Sequence, residues 1–389
     1  MKVLVVRLGS LGDLVHALPA VAQLRAAMPD ARIDWLVEPA HAELLRLVPV
    51  ISNVIVLKGK SASGWLATAR ELRANKYDMA LDLQGLIKSA ALARLSGARQ
   101  VVGFDTTSLR EPAARWGYTD QVDVGEGRHV IDKNLDLTTW VVAKKAPGNE
   151  LGGDFRENRL RAHFPLALQP SPALASLREA WAAKGAVPDF ALINPGAAWV
   201  NKRWPPAAFA AVARWIHATY AWTPVILWGP GEEALADAIV AGADGAAVRA
   251  PRTTINDLLA LAGAAKLFVS GDTGPLHLAC AMGTPVVALF GPTTEQRNGP
   301  WDDRDVSISR YDHCDCHYQR TCRRDATHTI RLRSEGASAD FAHATYATHS
   351  TSPNPTQPHP TDTWCLGTIS VAEVTAAIER RLAHTGGAR

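Results

Sequence analysis

The sequence predicts an α/β protein made of two doubly wound parallel-sheet units, and three observations carry that expectation. Short runs rich in Val, Ile and Leu alternate along the chain with amphipathic stretches of helical length, the pattern of a parallel sheet covered by helices on both faces. The chain has 389 residues, enough for about two domains at roughly 100 to 200 residues each. The alternation also restarts after a proline-rich stretch at Pro165, Pro170 and Pro172, so a linker is expected between Phe164 and Pro172. The domains are therefore drawn as 1–165 and 166–389.

In the first half, strands are expected at Lys2 to Arg7, Arg32 to Val37, Asn53 to Leu57, Tyr77 to Leu83 and Gln100 to Gly103, each a short apolar run bounded by polar or turn residues. Helices at Asp13 to Met28, Pro39 to Val48, Ser63 to Asn75 and Leu86 to Leu95 fill the gaps. The second series has strands at Phe190 to Asn194, Pro224 to Trp228, Lys266 to Ser270 and Pro285 to Phe290. Asp325 to Asp362 fits neither period: it is crowded with Thr, Ser, His and Pro, so burial cannot offset its ordering entropy and a disordered surface insertion is expected. Ser370 then opens a last helix to Ala383, with Glu373 three residues on as a capping box. This final helix, 370–384, is open to packing back on the N-terminal domain. Two such units imply a cleft between them, and ligands of open α/β sheets gather beyond the carboxyl ends of strands.

Composition narrows the function. Lys and Arg number 41 against 38 Asp and Glu, a net charge of +3, too small an excess for a general nucleic-acid binder. Any phosphate site must be local. A chain that is 47% hydrophobic and 20% charged is neither fibrous nor largely disordered. No apolar run approaches the roughly 18 residues of a membrane span. The start lacks a clean apolar stretch and cleavage site, because Asp13 and His16 interrupt it, so a cytoplasmic protein is expected. Five cysteines do not make a disulfide scaffold in a chain this long.

Four segments concentrate the chemistry. Strand one runs into Arg7-Leu8-Gly9-Ser10-Leu11-Gly12-Asp13, a glycine-containing turn entering a helix, where backbone can approach a ligand and the helix start attracts negative charge. Asp13 reads either as an acid favoured in a first helical turn or as a general base toward an acceptor hydroxyl. Ser270-Gly271-Asp272-Thr273-Gly274-Pro275-Leu276-His277 again joins a strand to a helix, with a hydroxyl, a bare glycine and unpaired amides suited to phosphate. There Thr273 is equally an ordinary N-cap and His277 a packed helix histidine. Asn194-Pro195-Gly196-Ala197-Ala198 leads to Lys202-Arg203-Trp204-Pro205, where Lys202 is either a solvated surface lysine or a point charge on a diphosphate. Trp228-Gly229-Pro230-Gly231-Glu232-Glu233 offers an acid for a ribose diol or for a first helical turn.

In their order along the chain, Gly9 to Ala20, Asp82-Leu83-Gln84-Gly85-Leu86-Ile87-Lys88-Ser89, Lys202 to Pro205 and Asp272 to His277 resemble the ADP-heptose family of lipopolysaccharide heptosyltransferases. The resemblance covers nearly all of the chain except the insertion. It implies a GT-B fold of two facing Rossmann-like domains, with the acceptor site in the first and the nucleotide-sugar site in the second. It also implies inverting sugar transfer that needs neither metal nor cofactor, with ADP-heptose as donor and the Kdo of lipid A as acceptor at the inner face of the inner membrane. Nucleic acid and a protein partner are not implied. On the same basis Asp13 aligns with the catalytic base, and Lys202, Glu232, Asp272, Thr273, Gly274 and His277 with donor-binding positions, Glu232 or its neighbour Glu233 being the acid. Ser10, Gly12, Lys88 and Arg110 align with acceptor-binding positions. The chain departs from the pattern at Ala197-Ala198, where relatives often carry hydroxyl residues, so one or two donor hydrogen bonds are expected to be missing.

The resemblance also accommodates Cys314, Cys316, Cys322 and Cys365 if the insertion is looped out. They read as packed thiols or as zinc ligands, Cys-x-Cys being too tight for the usual zinc knuckle. No strong amphipathic basic helix marks a membrane face. Four rivals stand beside this reading: a related ADP-heptose-family transferase with another acceptor, a GT-B sugar-nucleotide epimerase, a catalytically silent nucleotide-sugar binder, and, more remotely, an NAD enzyme, although no Gly-x-Gly-x-x-Gly follows an expected strand.

Overall fold

The computed structural model describes residues 1–145, 163–320, 322 and 365–384. The chain separates into two compact units, Met1–Gln169 together with Gln296–Asn298, and Pro170–Glu295 together with Gly299–Arg389. The expected insertion, Asp325 to Asp362, lies outside the described residues.

The first unit contains β1 (Lys2–Val6), α1 (Leu11–Ala27), β2 (Arg32–Val37), α2 (Ala42–Arg46), β3 (Asn53–Val56), α3 (Ala62–Asn75), β4 (Met79–Asp82), α4 (Ile87–Leu95), β5 (Gln100–Phe104), β6 (Asp120–Val122) and α5 (Val130–Lys145). Its six strands are all parallel, in the order β3-β2-β1-β4-β5-β6. Strands buried on both faces need continuous apolar runs, and β1 and β4 are buried along nearly their whole length. Helix α1 is apolar nearly all round, Leu14 to Val21 being buried without a break, and α5 packs on it. The expected helix Pro39 to Val48 is instead a 3₁₀ turn, Pro39–His41, followed by the short α2.

The second unit repeats the plan with β7 (Phe190–Asn194), β8 (Thr223–Ile226), β9 (Val248–Arg249), β10 (Leu267–Gly271), β11 (Val286–Phe290) and β12 (Val306–Ser309). The order β12-β11-β10-β7-β8-β9 is again all parallel. Helices α6 (Pro172–Ala182), α7 (Pro206–Tyr220), α8 (Glu233–Gly242), α9 (Ile255–Ala264), α10 (Gly274–Ala281), α11 (Glu295–Asn298) and α12 (Val371–Ala383) complete the described elements. Among them, β6, β9 and β12 were not expected. They are sheet-edge strands of two to four residues, too short to leave an apolar period.

The final helix has its apolar stripe, Val374, Ala377 and Ile378, in the core of the second unit, against β11, β12 and α7. Arg381 on its inner face meets Asp305 at 2.6 Å, both side chains 2% exposed. The capping box is present, with Ser370 N–H and hydroxyl both donating to Glu373.

Candidate active site

In a sheet of this order, chain connections leave in opposite directions from two neighbouring strands, and a crevice opens at their carboxyl ends. Those neighbours are β1 and β4 in the first unit and β7 and β10 in the second. The motif-bearing turns after all four strands therefore stand at the two switch points.

In the first unit, Arg7 is buried and its guanidinium donates to the Leu83 carbonyl at the end of β4. It also meets Asp13 Oδ1 at 2.6 Å. The Ser10 N–H and hydroxyl donate to Asp13 Oδ2 at 3.2 and 3.1 Å. Burial works to raise the Asp13 carboxyl, yet the Arg7 charge, then the Arg297 charge and the Ser10 hydrogen bonds, outweigh it and hold the group below the usual carboxylate range. Asp13 is thus an ionised carboxylate, 27% exposed, at the mouth of the crevice. Both readings of it coexist: it sits in the first turn of α1 and it presents a charged acceptor to the switch point.

The turn after β4 is organised by Asp82. This fully buried carboxylate accepts from Gln84 N–H at 2.8 Å, Ser89 hydroxyl at 2.8 Å and Tyr118 hydroxyl at 2.8 Å. Gly85 takes a φ of +70° there, a conformation that favours glycine. Gln84 then accepts from the Leu8 N–H at 2.9 Å, which couples the β4 turn to the β1 turn. Of the expected acceptor-side residues, Ser10 is exposed beside Asp13 and Gly12 is buried in the same turn. Lys88, in the first turn of α4, pairs with Glu38 at 3.0 Å. Arg110 is exposed next to Glu111, whose carboxylate accepts from the Ile87 N–H at 2.7 Å.

In the second unit, Trp204 is the anchor. It is buried against Phe209 with ring centroids 5.0 Å apart, and its indole N–H donates to the Ile369 carbonyl at 3.0 Å. That fixes the two preceding side chains. Lys202 Nζ lies 2.5 Å from Asp272 Oδ2 and 4.7 Å from the centre of the Trp199 ring. Arg203 reaches Glu232 Oε1 at 3.2 Å. A side chain at Gly271 would collide with the Lys202 carbonyl at 2.6 Å, so the glycine is what lets this backbone lie against β10. Asp272 is nearly buried and also receives Thr293 hydroxyl at 2.6 Å and His277 Nε2 at 3.3 Å. Burial would raise its carboxyl, but the His277 hydrogen bond and the Lys202 charge hold it far below the usual range.

Asp272 and His277 are therefore buried groups that orient Lys202. The Thr273 hydroxyl does not cap α10; it accepts from Asn194 Nδ2 at 3.1 Å. Gly274 opens that helix. Of the acidic pair, Glu232 is the one whose carboxylate receives the Gly229 N–H at 3.0 Å, and it lies 2.0 Å from where a side chain on Gly196 would start. Glu233 is a first-turn acid of α8.

Five residues that the sequence did not single out complete these sites: Arg7, Gln84, Asn194, Arg203 and Thr293. Four lie inside motifs already read for their neighbours. Thr293 follows β11 in Gly291-Pro292-Thr293, the same strand-end signal as the other turns. Cys314, Cys316, Cys322 and Cys365 are buried together in the core of the second unit. Burial and the neighbouring Cys314 push the Cys365 thiol up to about 12. Among the described residues, no group of three or more His, Cys, Asp or Glu side chains is arranged to hold a metal ion, and no helix is long and apolar enough to cross a membrane.

The sequence profile of glycosyltransferase family 9 (heptosyltransferase) matches residues 65–328. Lipopolysaccharide heptosyltransferase 1 of Pseudomonas aeruginosa is 30% identical over 333 residues, 83% of this chain and 87% of that protein. The protein of that name from Salmonella typhimurium is 28% identical, over 75% of this chain and 89% of its own length. Among solved structures, a glycosyl transferase family 9 protein from Veillonella parvula shares the fold with a TM-score of 0.71 at 20% identity, covering 98% of this chain and 97% of that one. The Escherichia coli heptosyltransferase WaaC with ADP has a TM-score of 0.62 at 24% identity, covering 87% of this chain and all of that one.

Proposed function

The chain belongs to glycosyltransferase family 9, a heptosyltransferase of lipopolysaccharide core assembly, and from that premise we propose that it moves heptose from ADP-heptose to the Kdo of lipid A. The observation that carries the chemistry is the Asp13 carboxylate, ionised by Arg7 and Ser10 yet partly open at the first switch point.

In this reading the first unit handles the acceptor and the second the donor. Asp13 receives the proton of the acceptor hydroxyl while that oxygen bonds to the anomeric carbon. The bond from that carbon to the diphosphate breaks on the opposite face, which inverts the centre and releases ADP. Lys202, oriented by Asp272, together with the backbone of Thr273 and Gly274 at the start of α10, stabilises the negative charge gathering on the diphosphate. No metal ion has a part in this reading. Glu232 holds the ribose. Ser10, Gly12, Lys88 and Arg110 face the acidic acceptor, and the protein works peripherally on the inner face of the inner membrane, where a lipid-borne acceptor is presented.

The test is ADP release from ADP-heptose, with and without a Kdo-bearing lipid A acceptor, by the wild type and by Asp13→Asn. Release that requires the acceptor and drops by about 10² or more in the variant is expected for a lost general base. Release or rearrangement without any acceptor would point to an epimerase instead. Full activity in Asp13→Asn would remove Asp13 from the mechanism.

A further inference from the structure

Over Gly9, in the turn that leads into Asp13, stands an imidazole that none of the motifs accounts for. His41 lies in the 3₁₀ turn after β2, which is pinned to the β1 turn because Glu38 N–H donates to the Leu8 carbonyl at 3.0 Å. The His41 ring lies over Gly9: a side chain there would start 2.8 Å from both Cδ2 and Nε2. Only glycine at this position leaves room for the ring. His41 is half-buried, and neither ring nitrogen has a hydrogen-bond partner among the described residues. An imidazole held this close to a reactive turn without a partner keeps a free donor and a free acceptor for something outside the resting structure.

The charges around it are defined. Glu38 and Asp13 both act on the ring and favour its protonated form. Each of these anions is itself balanced, Glu38 by Lys88 and Asp13 by Arg7. Burial is the larger influence and keeps His41 below its usual range, so the ring is neutral near pH 7 and can accept a proton. Asp13 presents the converse: the contacts that keep it ionised also make it a poor resting place for a proton.

We propose that His41 is the group to which Asp13 passes the acceptor's proton, a reading that rests on Asp13 as the base. The acceptor O–H bond breaks with its proton on Asp13 as the new C–O bond forms and ADP leaves. The proton then moves to a His41 ring nitrogen, restoring the Asp13 carboxylate to its Arg7 and Ser10 contacts. His41 becomes an imidazolium flanked by Asp13 and Glu38, and it returns the proton to water once product has left. Since His41 acts through Asp13, it is a positioning and relay residue.

Two measurements test this. The first is the carbon-13 NMR titration of the His41 ring in the wild type and in Asp13→Asn, without substrate. Loss of the Asp13 charge should lower the pH at which His41 titrates, and an unchanged midpoint would overturn the coupling. The second is the pH profile of kcat for the wild type, His41→Phe and His41→Gln, with thermal unfolding to confirm that the variants fold. Both variants should lose at least about 10-fold in kcat, with ADP affinity unchanged and the acid limb moved from the imidazole range toward the carboxylate range. A kcat and profile equal to the wild type in a folded variant, while Asp13→Asn is inactive, would overturn the role of His41 alone. Activity retained in Asp13→Asn would overturn the base assignment, and with it the relay.

Discussion

At the residue scale, several conspicuous side chains act by fixing another one. Asp272 was read as a donor contact, yet its carboxylate is engaged by Lys202, Thr293 and His277, so its effect on a ligand passes through the lysine. Glycines show the same logic in reverse. Gly196 lies so close to the Glu232 carboxylate that Gly196→Ala must push that flexible side chain off Arg203 and the Gly229 N–H. The expected outcome is about a tenfold weaker affinity for ADP by calorimetry, with little change in the melting temperature, as lost polar contacts near 1.4 kcal/mol would give. An unchanged affinity would remove Glu232 from the nucleotide site. None of this was legible from the glycine alone, because the atom it makes room for lies 36 residues away in the chain.

At the scale of elements, the last helix is held to the second sheet by a buried ion pair. Asp305, just before β12, accepts from Val286 N–H at 2.9 Å and from Arg381 on α12. Burial pushes its carboxyl up to about 6 despite the Arg381 charge. A carboxyl whose folded value is raised binds its proton more tightly in the folded state, so folding loses stability as pH rises between the unfolded and folded values. Wild-type stability relative to Asp305→Asn should therefore fall from about pH 4 to pH 6 and level off above that, as read by urea unfolding at a series of pH values; a difference independent of pH would refute the shift. Arg381→Met is the harsher change, since it strands a buried carboxylate, and a loss of about 3–5 kcal/mol is expected near pH 7. The capping box of α12 was legible because Ser370 and Glu373 are local. Its docking site was not: an amphipathic stripe states that a helix packs without stating on what.

For the molecule as a whole, one plan is used twice, and in each unit the motif-bearing turns lie where the order of the strands reverses. If the second switch point binds ADP, saturating nucleotide should stabilise the protein by about 2.7 kcal/mol at a hundred times the dissociation constant, seen as a raised melting temperature. Lys202→Met should abolish most of that rise, and an identical rise in both proteins would exclude the lysine from the diphosphate site. The sequence by itself determined that the chain is doubly wound twice over, and where its strand–glycine–helix turns lie. Apolar periodicity and the strand–glycine–helix junction are local signals, written within ten or so consecutive residues. It also determined the class of enzyme, since the chain matches family 9 over residues 65–328 and a lipopolysaccharide heptosyltransferase 1 at 30% identity. Only the tertiary structure decided that Glu232 rather than Glu233 faces Gly196, that Arg7 and Ser10 keep Asp13 ionised, that the last helix belongs to the second core, and that an imidazole waits over Gly9. Each of these depends on groups brought together from separate segments or on the direction in which a side chain points, and local periodicity encodes neither.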